Sequence, residues 1–179
     1  MAMVKLVVEV KGISPLLMNR YPMVEIAGLK QMPPAEQAET AVYRDEESKE
    51  LYVPGTNIQR ALVSAATFVK GKGRGSLQKV VAACLLVSPE VITLGTKKYS
   101  IDSRRVVIPA TKGAVIKHRP RLNDWSLKFN LEYDNTLLSE KQVREIVDIM
   151  GSRVGLLDFR PERKGPFGRS IVTSWKLSA

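Results

Sequence analysis

The chain has 179 residues, 44% of them hydrophobic, and a formal net charge of +10. That is enough apolar material for one core, with the remaining length carried as insertions rather than as a second core. No run reaches the roughly 18 apolar residues of a membrane span, and the opening MAMVKLVVEVKG alternates like a strand without the cleavage site of a signal peptide. The one cysteine, Cys84, lies in the apolar run VVAACLLV. A lone core thiol excludes an internal disulfide and fits a reducing compartment, so a cytoplasmic protein without a membrane partner is expected.

Charge is segregated along the chain. Between Lys97 and Arg121 there are eight Lys/Arg against one acid, Asp102, and Lys70, Lys72, Arg74 and Lys79 form an acid-free block. The stretch from Glu25 to Glu50 reverses this, with seven acids against Lys30, Arg44 and Lys49. Solvated basic faces would account for the cations alone. Segregation also points to a polyanion partner, because each neutralised phosphate releases a counterion. An acidic segment in a basic chain further suggests copies meeting head to tail.

Val4 to Val10 alternates as a strand. GISPLLMNRYP turns on Ser-Pro and Tyr-Pro, and Gly28 to Ala38 reads as irregular. Ala41–Arg44 and Leu51–Val53 read as a small hairpin around DEESKE. YVPGTNIQRAL then opens a helix: Thr56 is placed as its N-cap, Gln59 completes a capping box, and Ile58, Ala61, Leu62, Ala65 and Val69 form the apolar stripe. Val80 to Leu94, broken by Ser88-Pro89, reads as strand. Tyr99 to Leu122 is a basic, β-prone excursion punctuated by Pro109, Gly113 and Pro120. Trp125, Leu127, Phe129, Leu131 and Tyr133 mark one face of a strand. Ser139 and Gln142 form a second capping box, with Leu138 and Val143 as a hydrophobic staple. Val143, Ile146, Val147 and Met150 make that helix's stripe, and Gly151 is placed as its stop. After LLDFRPERKGPFGR, Ser170 to Leu177 closes as a strand.

The order strand, helix, strand, strand, helix, strand predicts an α+β, ferredoxin-like (RRM-like) βαββαβ domain over 1–179. Two helices cover one face of a four-stranded antiparallel sheet, leaving an open face of the kind that often binds RNA. The palm would take about 1–15, 51–96 and 123–179, with insertions at about 16–50 and 97–122.

Motifs for catalysis are few. His118 is the one histidine, and no HxxxH or CxxC spacing is present, so neither a zinc site nor another cofactor is expected. His118 could act as a general acid or could stack on or hydrogen-bond a ligand. GKGRGS lacks the GK[ST] ending of a P-loop and reads as a phosphate contact or a linker. Asp45, Glu46 and Glu47 read as a hard-cation site or a solvated turn. Motifs for binding are richer. KHRPR sets Lys117, His118, Arg119 and Arg121 together, planar groups that pair with phosphate and stack on bases. RPERKGPFGR sets Arg160, Arg163, Lys164 and Arg169 around Gly165 and Gly168, either as a turn or as a loop whose amides approach phosphate; Phe167 is a stacking platform or a core plug.

Two of these stretches together resemble a known family. YVPGTNIQRAL is similar to the strand-to-helix junction of the RAMP superfamily, RNA-binding proteins of CRISPR effector complexes, and RPERKGPFGRSIV is similar to that superfamily's glycine-rich loop before the last strand. The resemblance implies a non-catalytic backbone subunit that polymerises along single-stranded guide RNA beside other effector subunits, with the basic insertion as a β-hairpin thumb that wedges between bases. It carries RNA contact onto Thr56, Asn57 and Gln59 and onto Arg163, Lys164, Gly165, Gly168 and Arg169. Gln59 stands where the motif usually has Lys, and Arg60 where it has Gly, moving the charge about 100° around the helix. Cleaving members place an aspartate after the first strand, and processing relatives often use a histidine nearby. GISPLLMNRYPMVEIAG has neither and offers Asn19 and Arg20 as phosphate or ribose contacts. The alternatives are a metal-dependent ribonuclease of this fold using Asp45 or Asp158, and a mobile-element protein that binds an effector complex or single-stranded DNA.

Overall fold

The computed structural model describes residues 2–71, 73 and 75–178, so Lys72 and Arg74 lie outside the described residues. The alternating segments form the two long central strands, β1 (Met3–Gly12) and β8 (Ser126–Asp134), paired antiparallel from Met3↔Asp134 to Lys11↔Ser126. β4 (Leu85–Ser88) flanks β8, and β9 (Ser170–Leu177) flanks β1, giving a mixed α/β molecule whose main sheet is antiparallel in the order β4-β8-β1-β9.

Leu6, Val8, Val10, Leu127, Phe129, Leu131 and Tyr133 point inward and are essentially fully buried. They share one core with the apolar stripes of α2 (Gly55–Ala65) and α4 (Glu140–Ile149). The opposite face of the central strands carries Lys5, Val7, Glu9 and Lys11 beside Ser126, Lys128, Asn130 and Glu132. Ion pairs Lys5–Glu132 (3.0 Å) and Lys128–Glu9 (3.6 Å) cross it, and those eight positions include no aromatic side chain on which a base could stack.

The basic excursion is a two-stranded hairpin, β6 (Ser100–Val107) and β7 (Ala114–Leu122), that turns where Lys112 takes φ 53°. The two-residue strand β2 (Leu16–Leu17) pairs with the base of β7, and Met18 N–H donates to Pro120 O, so the hairpin grows out of the body rather than from a loose linker.

Several local expectations are corrected. Within 28–38, read as irregular, Pro34 occupies the first position of a short helix, α1 (Pro34–Thr40), where its missing N–H costs nothing. The hairpin around DEESKE keeps its turn (Asp45 N–H to Glu50 O, 2.9 Å) and a single bridge, Arg44↔Leu51. The next residues, β3 (Tyr52–Pro54), pair instead with β5 (Val91–Thr93), because Leu51 and Val53 are fully buried and Leu51 exchanges backbone bonds with Leu94 and Thr96. The apolar run from Val80 begins as helix, α3 (Gln78–Cys84), with Val81 inward and Ala82 and Ala83 exposed; an unbroken apolar run carries no period to separate helix from strand. Cys84 is half-buried at the end of α3 rather than in the core, and burial pushes its thiol pKa up.

The two predicted capping boxes part company. Ser139 accepts from Gln142 N–H while the Gln142 side chain accepts from Ser139 N–H. At α2 the N-cap is Pro54, Thr56 makes no capping bond, and Gly55 N–H donates to Glu90 O (2.7 Å). The Gln59 amide donates to Leu85 O (2.7 Å) and accepts from Val87 N–H (2.9 Å), so it lies along the outer edge of β4 like one more peptide unit. Gly151 does not stop the second helix, which continues through a π-type turn (Met150–Val154) to Gly155 at φ 75°. Gly151 is required there because a Cβ would overlap Ser170 O.

These assignments predict opposite outcomes for two identical-looking motifs. In urea denaturation, Ser139→Ala should cost about 1 kcal/mol, whereas Thr56→Ala should stay within about 0.5 kcal/mol. Gln59→Ala should cost about 1–3 kcal/mol, because it strands two backbone groups of β4.

Candidate nucleic-acid interface

The loop between α4 and β9 folds onto itself. Leu157, Phe159 and Lys164 take left-handed φ of 58°, 49° and 62°, and Gly168 takes 74°. Leu156 N–H donates to Gly168 O, Phe167 N–H to Phe159 O, and Gly165 N–H to Arg160 O. Gly168 N–H donates to Pro15 O and Asp158 N–H to Leu17 O, docking the loop on the segment after β1. A Cβ at Gly165 would overlap Phe159 O, and one at Gly168 would overlap Leu156 O. Both glycines therefore serve close packing, and their amides are occupied, Gly165 within the loop and Gly168 by Pro15 O, rather than turned toward a phosphate. Phe167 is buried as a plug: its ring meets Phe159 edge to face at 5.7 Å, under the guanidinium of Arg104 at 5.1 Å and that of Arg121 at 5.5 Å.

The hairpin base is tied to this loop by charge. Asp102, 5% exposed at its side chain, accepts two hydrogen bonds from Arg104 (2.8 Å each) and lies 3.8 Å from Arg119 and 3.6 Å from Arg121. Arg119 reaches across to Asp158 at 2.6 Å. The Arg104 hydrogen bond lowers the Asp102 carboxyl pKa, burial opposes it, and the charges of Arg104, Arg119 and Arg121 add to the lowering.

The predicted contact residues fall into three groups. Arg119, Arg121, Arg160 and Arg169 are engaged within the protein: Arg121 with Asn123 and Asp102, Arg160 with Glu162 and Leu157 O, and Arg169 with Ser152 O. Thr56 and Lys70 are exposed but line none of the clefts described below, and Gln59 lies on β4. Asn19, Arg20, Asn57, Arg60, Lys117, His118 and Arg163 line connected clefts, with Lys164 exposed beside them.

Those clefts run end to end. A cleft of about 310 Å³ brings Asn57, Arg60 and Ser64 of α2 against Arg160, Glu162 and Arg163 of the loop. It shares Asn57, Leu157 and Arg160 with a notch of about 170 Å³ that also holds Asn19, Tyr43 and Asp158. Asn19 continues into a groove of about 630 Å³ with Arg20, Tyr21, Lys117 and His118. His118 Nδ1 lies 2.6 Å from Ser103 Oγ across the hairpin. A fourth cleft, of about 470 Å³, sets Arg105, Val106 and Val107 of β6 beside Phe159 and Arg163. Burial pushes the Glu162 carboxyl pKa up, but bonds from Arg160 and Ser64 and the charges of Arg160 and Arg163 outweigh it, so it stays below its ordinary value.

Sequence reasoning missed Tyr43, Ser64 and Arg105. Tyr43 stands just ahead of the acidic turn, and no periodicity marks it. At that turn Asp45 accepts from Ser48 N–H and Oγ (2.8 Å each), as a solvated turn does. Among the described residues no group of three His, Cys, Asp or Glu is placed to hold a metal ion, and no helix is long and apolar enough to cross a membrane.

No family model and no curated protein sequence matches the chain. Among solved structures, it is similar to a chain in the cryo-EM structure of the Type III-B Cmr-beta bound to cognate target RNA. The TM-score is 0.64 at 10% identity over 98% of this chain, and the match spans 60% of the other chain's length. At that identity the likeness is one of fold alone.

Arg119→Leu should destabilise the protein by about 3–5 kcal/mol, because it leaves Asp158 and Asp102 undercompensated, while Arg163→Ala should change stability by less than about 0.5 kcal/mol. Since the folded Asp102 value lies below the unfolded one, its contribution is present at neutral pH. It is lost as pH falls below about 4 through the lowered value, and Asp102→Asn should flatten that acid limb of the denaturation profile.

Proposed function

We propose that the protein is a RAMP-type RNA-binding subunit of a CRISPR ribonucleoprotein, holding single-stranded RNA along the connected clefts without sequence preference. The observation that carries this reading is the convergence of the α2 start with the loop before β9: Asn57 and Arg60 face Arg160 and Arg163 across one cleft. Exposed cations here are positioned by rigid elements, with affinity coming from phosphate rather than from base edges.

The strand order β4-β8-β1-β9 supports reading the main sheet as a ferredoxin-like palm, with the β6–β7 hairpin as its thumb. Val107 and Ile116, 53% and 65% exposed beyond the structural arginines, suit a wedge between bases. Binding without cutting is supported by the lack of an aspartate in the segment after β1, and by Asp158 being held by Arg119. The exposed acids Glu25, Glu36, Glu46 and Glu47 would meet the basic track of a neighbouring copy, giving an array along the RNA.

Affinity for unrelated unstructured RNAs should fall steeply with salt. Arg60→Ala with Arg163→Ala should weaken all of them alike and reduce the slope of log K against log salt by about 1.4. Fluorescence anisotropy across a salt series measures both, and salt-independent binding would overturn the reading. Arg169 is left intact in this test because it caps the Ser152 carbonyl.

A further inference from the structure

Between two cationic clefts the track narrows to a notch of different chemistry. The flanking spaces carry Arg60 and Arg163 on one side and Arg20 and Lys117 on the other. Three neutral polar side chains, Asn19, Tyr43 and Asn57, converge in the notch with the carboxylate of Asp158, and the one cation that borders it, Arg160, is engaged by Glu162 and Leu157 O. At about 170 Å³ it is the smallest of the four clefts and suits an edge of a sugar.

Donors and acceptors in the notch are arranged for a hydroxyl. Asp158 gives one oxygen, Oδ2, to Arg119; its Oδ1 has no hydrogen bond among the described residues, and the side chain keeps 30% of its exposure. A carboxylate turned into an RNA track repels phosphate and accepts a proton from a hydroxyl. The Asn57 amide and the Tyr43 phenol supply donors to the same space. Burial pushes the Tyr43 phenol pKa up, with a hydrogen bond accepted from the Asn57 amide acting against it, so the phenol stays protonated and able to donate. The group that both donates and accepts on a nucleic-acid backbone, one sugar away from a phosphate, is the ribose 2′-hydroxyl.

We propose that Asn19, Tyr43, Asn57 and Asp158 form a subsite for a ribose 2′-hydroxyl, which makes this track select RNA over DNA. The proposal rests on the reading of the clefts as a nucleic-acid track and names what that track discriminates. Deoxyribose would occupy the same path, held by the same cations, but would leave the Asp158 oxygen and the Asn57 amide facing a C–H group. Loss of such paired contacts is worth about ten-fold in affinity.

The test compares one unstructured sequence as labelled single-stranded RNA, DNA and 2′-O-methyl RNA, by anisotropy at fixed salt. The unaltered protein should bind RNA about ten-fold more tightly than either of the others. Tyr43→Phe, which removes only the hydroxyl, and Asn57→Ala should each bring the RNA-to-DNA ratio to within about two-fold, mainly by loss of RNA affinity. Arg60→Ala should weaken all three ligands in proportion and leave the ratio standing. Melting temperatures close to that of the unaltered protein establish that the variants fold. Equal affinity of the unaltered protein for RNA and DNA, or a ratio unmoved in both Tyr43→Phe and Asn57→Ala, overturns the subsite and leaves RNA binding intact. Failure of the unaltered protein to bind any of the three overturns the proposed function as well.

Discussion

A guanidinium with almost no exposure joins the two parts of the molecule that do not share a sheet. Arg119 projects from the base of the hairpin, meets Asp158 of the loop before β9, and stands beside Asp102 on its own hairpin. Desolvating these groups is costly, and the pairing offsets that cost only while all partners remain in place. Asp102 also separates three arginines that would otherwise repel one another across one face of β6 and β7. The loop that Asp158 belongs to is in turn fixed by its own amides and by the segment after β1. Hairpin, loop and chain entry are thus joined to one another by direct bonds.

This division of labour among cations changes the meaning of the net charge. Arg104, Arg119, Arg121, Arg160 and Arg169 answer to carboxylates, carbonyls or aromatic rings inside the protein. Five others, Arg20, Arg60, Arg105, Lys117 and Arg163, line the clefts, so part of the positive charge lies where the chain is concave. Carboxylates within the same track, Asp158 and Glu162, divide it into segments instead of leaving a uniform basic stripe.

What was legible in the sequence is what depends on near neighbours. The period of two in β1 and β8 and the capping box at Ser139 required nothing beyond a few residues, and the structure follows them. Thr56 and Gln59 present the same local pattern as Ser139 and Gln142, yet Gln59 turns to Leu85 and Val87, 26 and 28 residues away, where two backbone groups would otherwise lack partners. The same holds for the glycines: Gly165 and Gly168 look like phosphate-binding residues in the sequence, but overlap with Phe159 O and Leu156 O explains them. Asn57, Arg60 and Arg163, which share one cleft, were singled out in the sequence because a resemblance paired two distant motifs. Tyr43 was not found, because nothing local distinguishes it from any aromatic beside a turn.

The Gln59 bridge has a consequence for how copies can associate. Leu85 N–H is bound by Val81 O at the end of α3, Leu85 O and Val87 N–H are bound by Gln59, and β4 has few outward backbone groups left to offer a stranger. One margin of the main sheet is thereby sealed against strand addition, so neighbouring copies cannot fuse there into a continuous ribbon of sheet in the manner of an aggregate. Strand addition to the main sheet is therefore confined to its opposite margin, β9, which makes the sheet one-sided as a template for pairing.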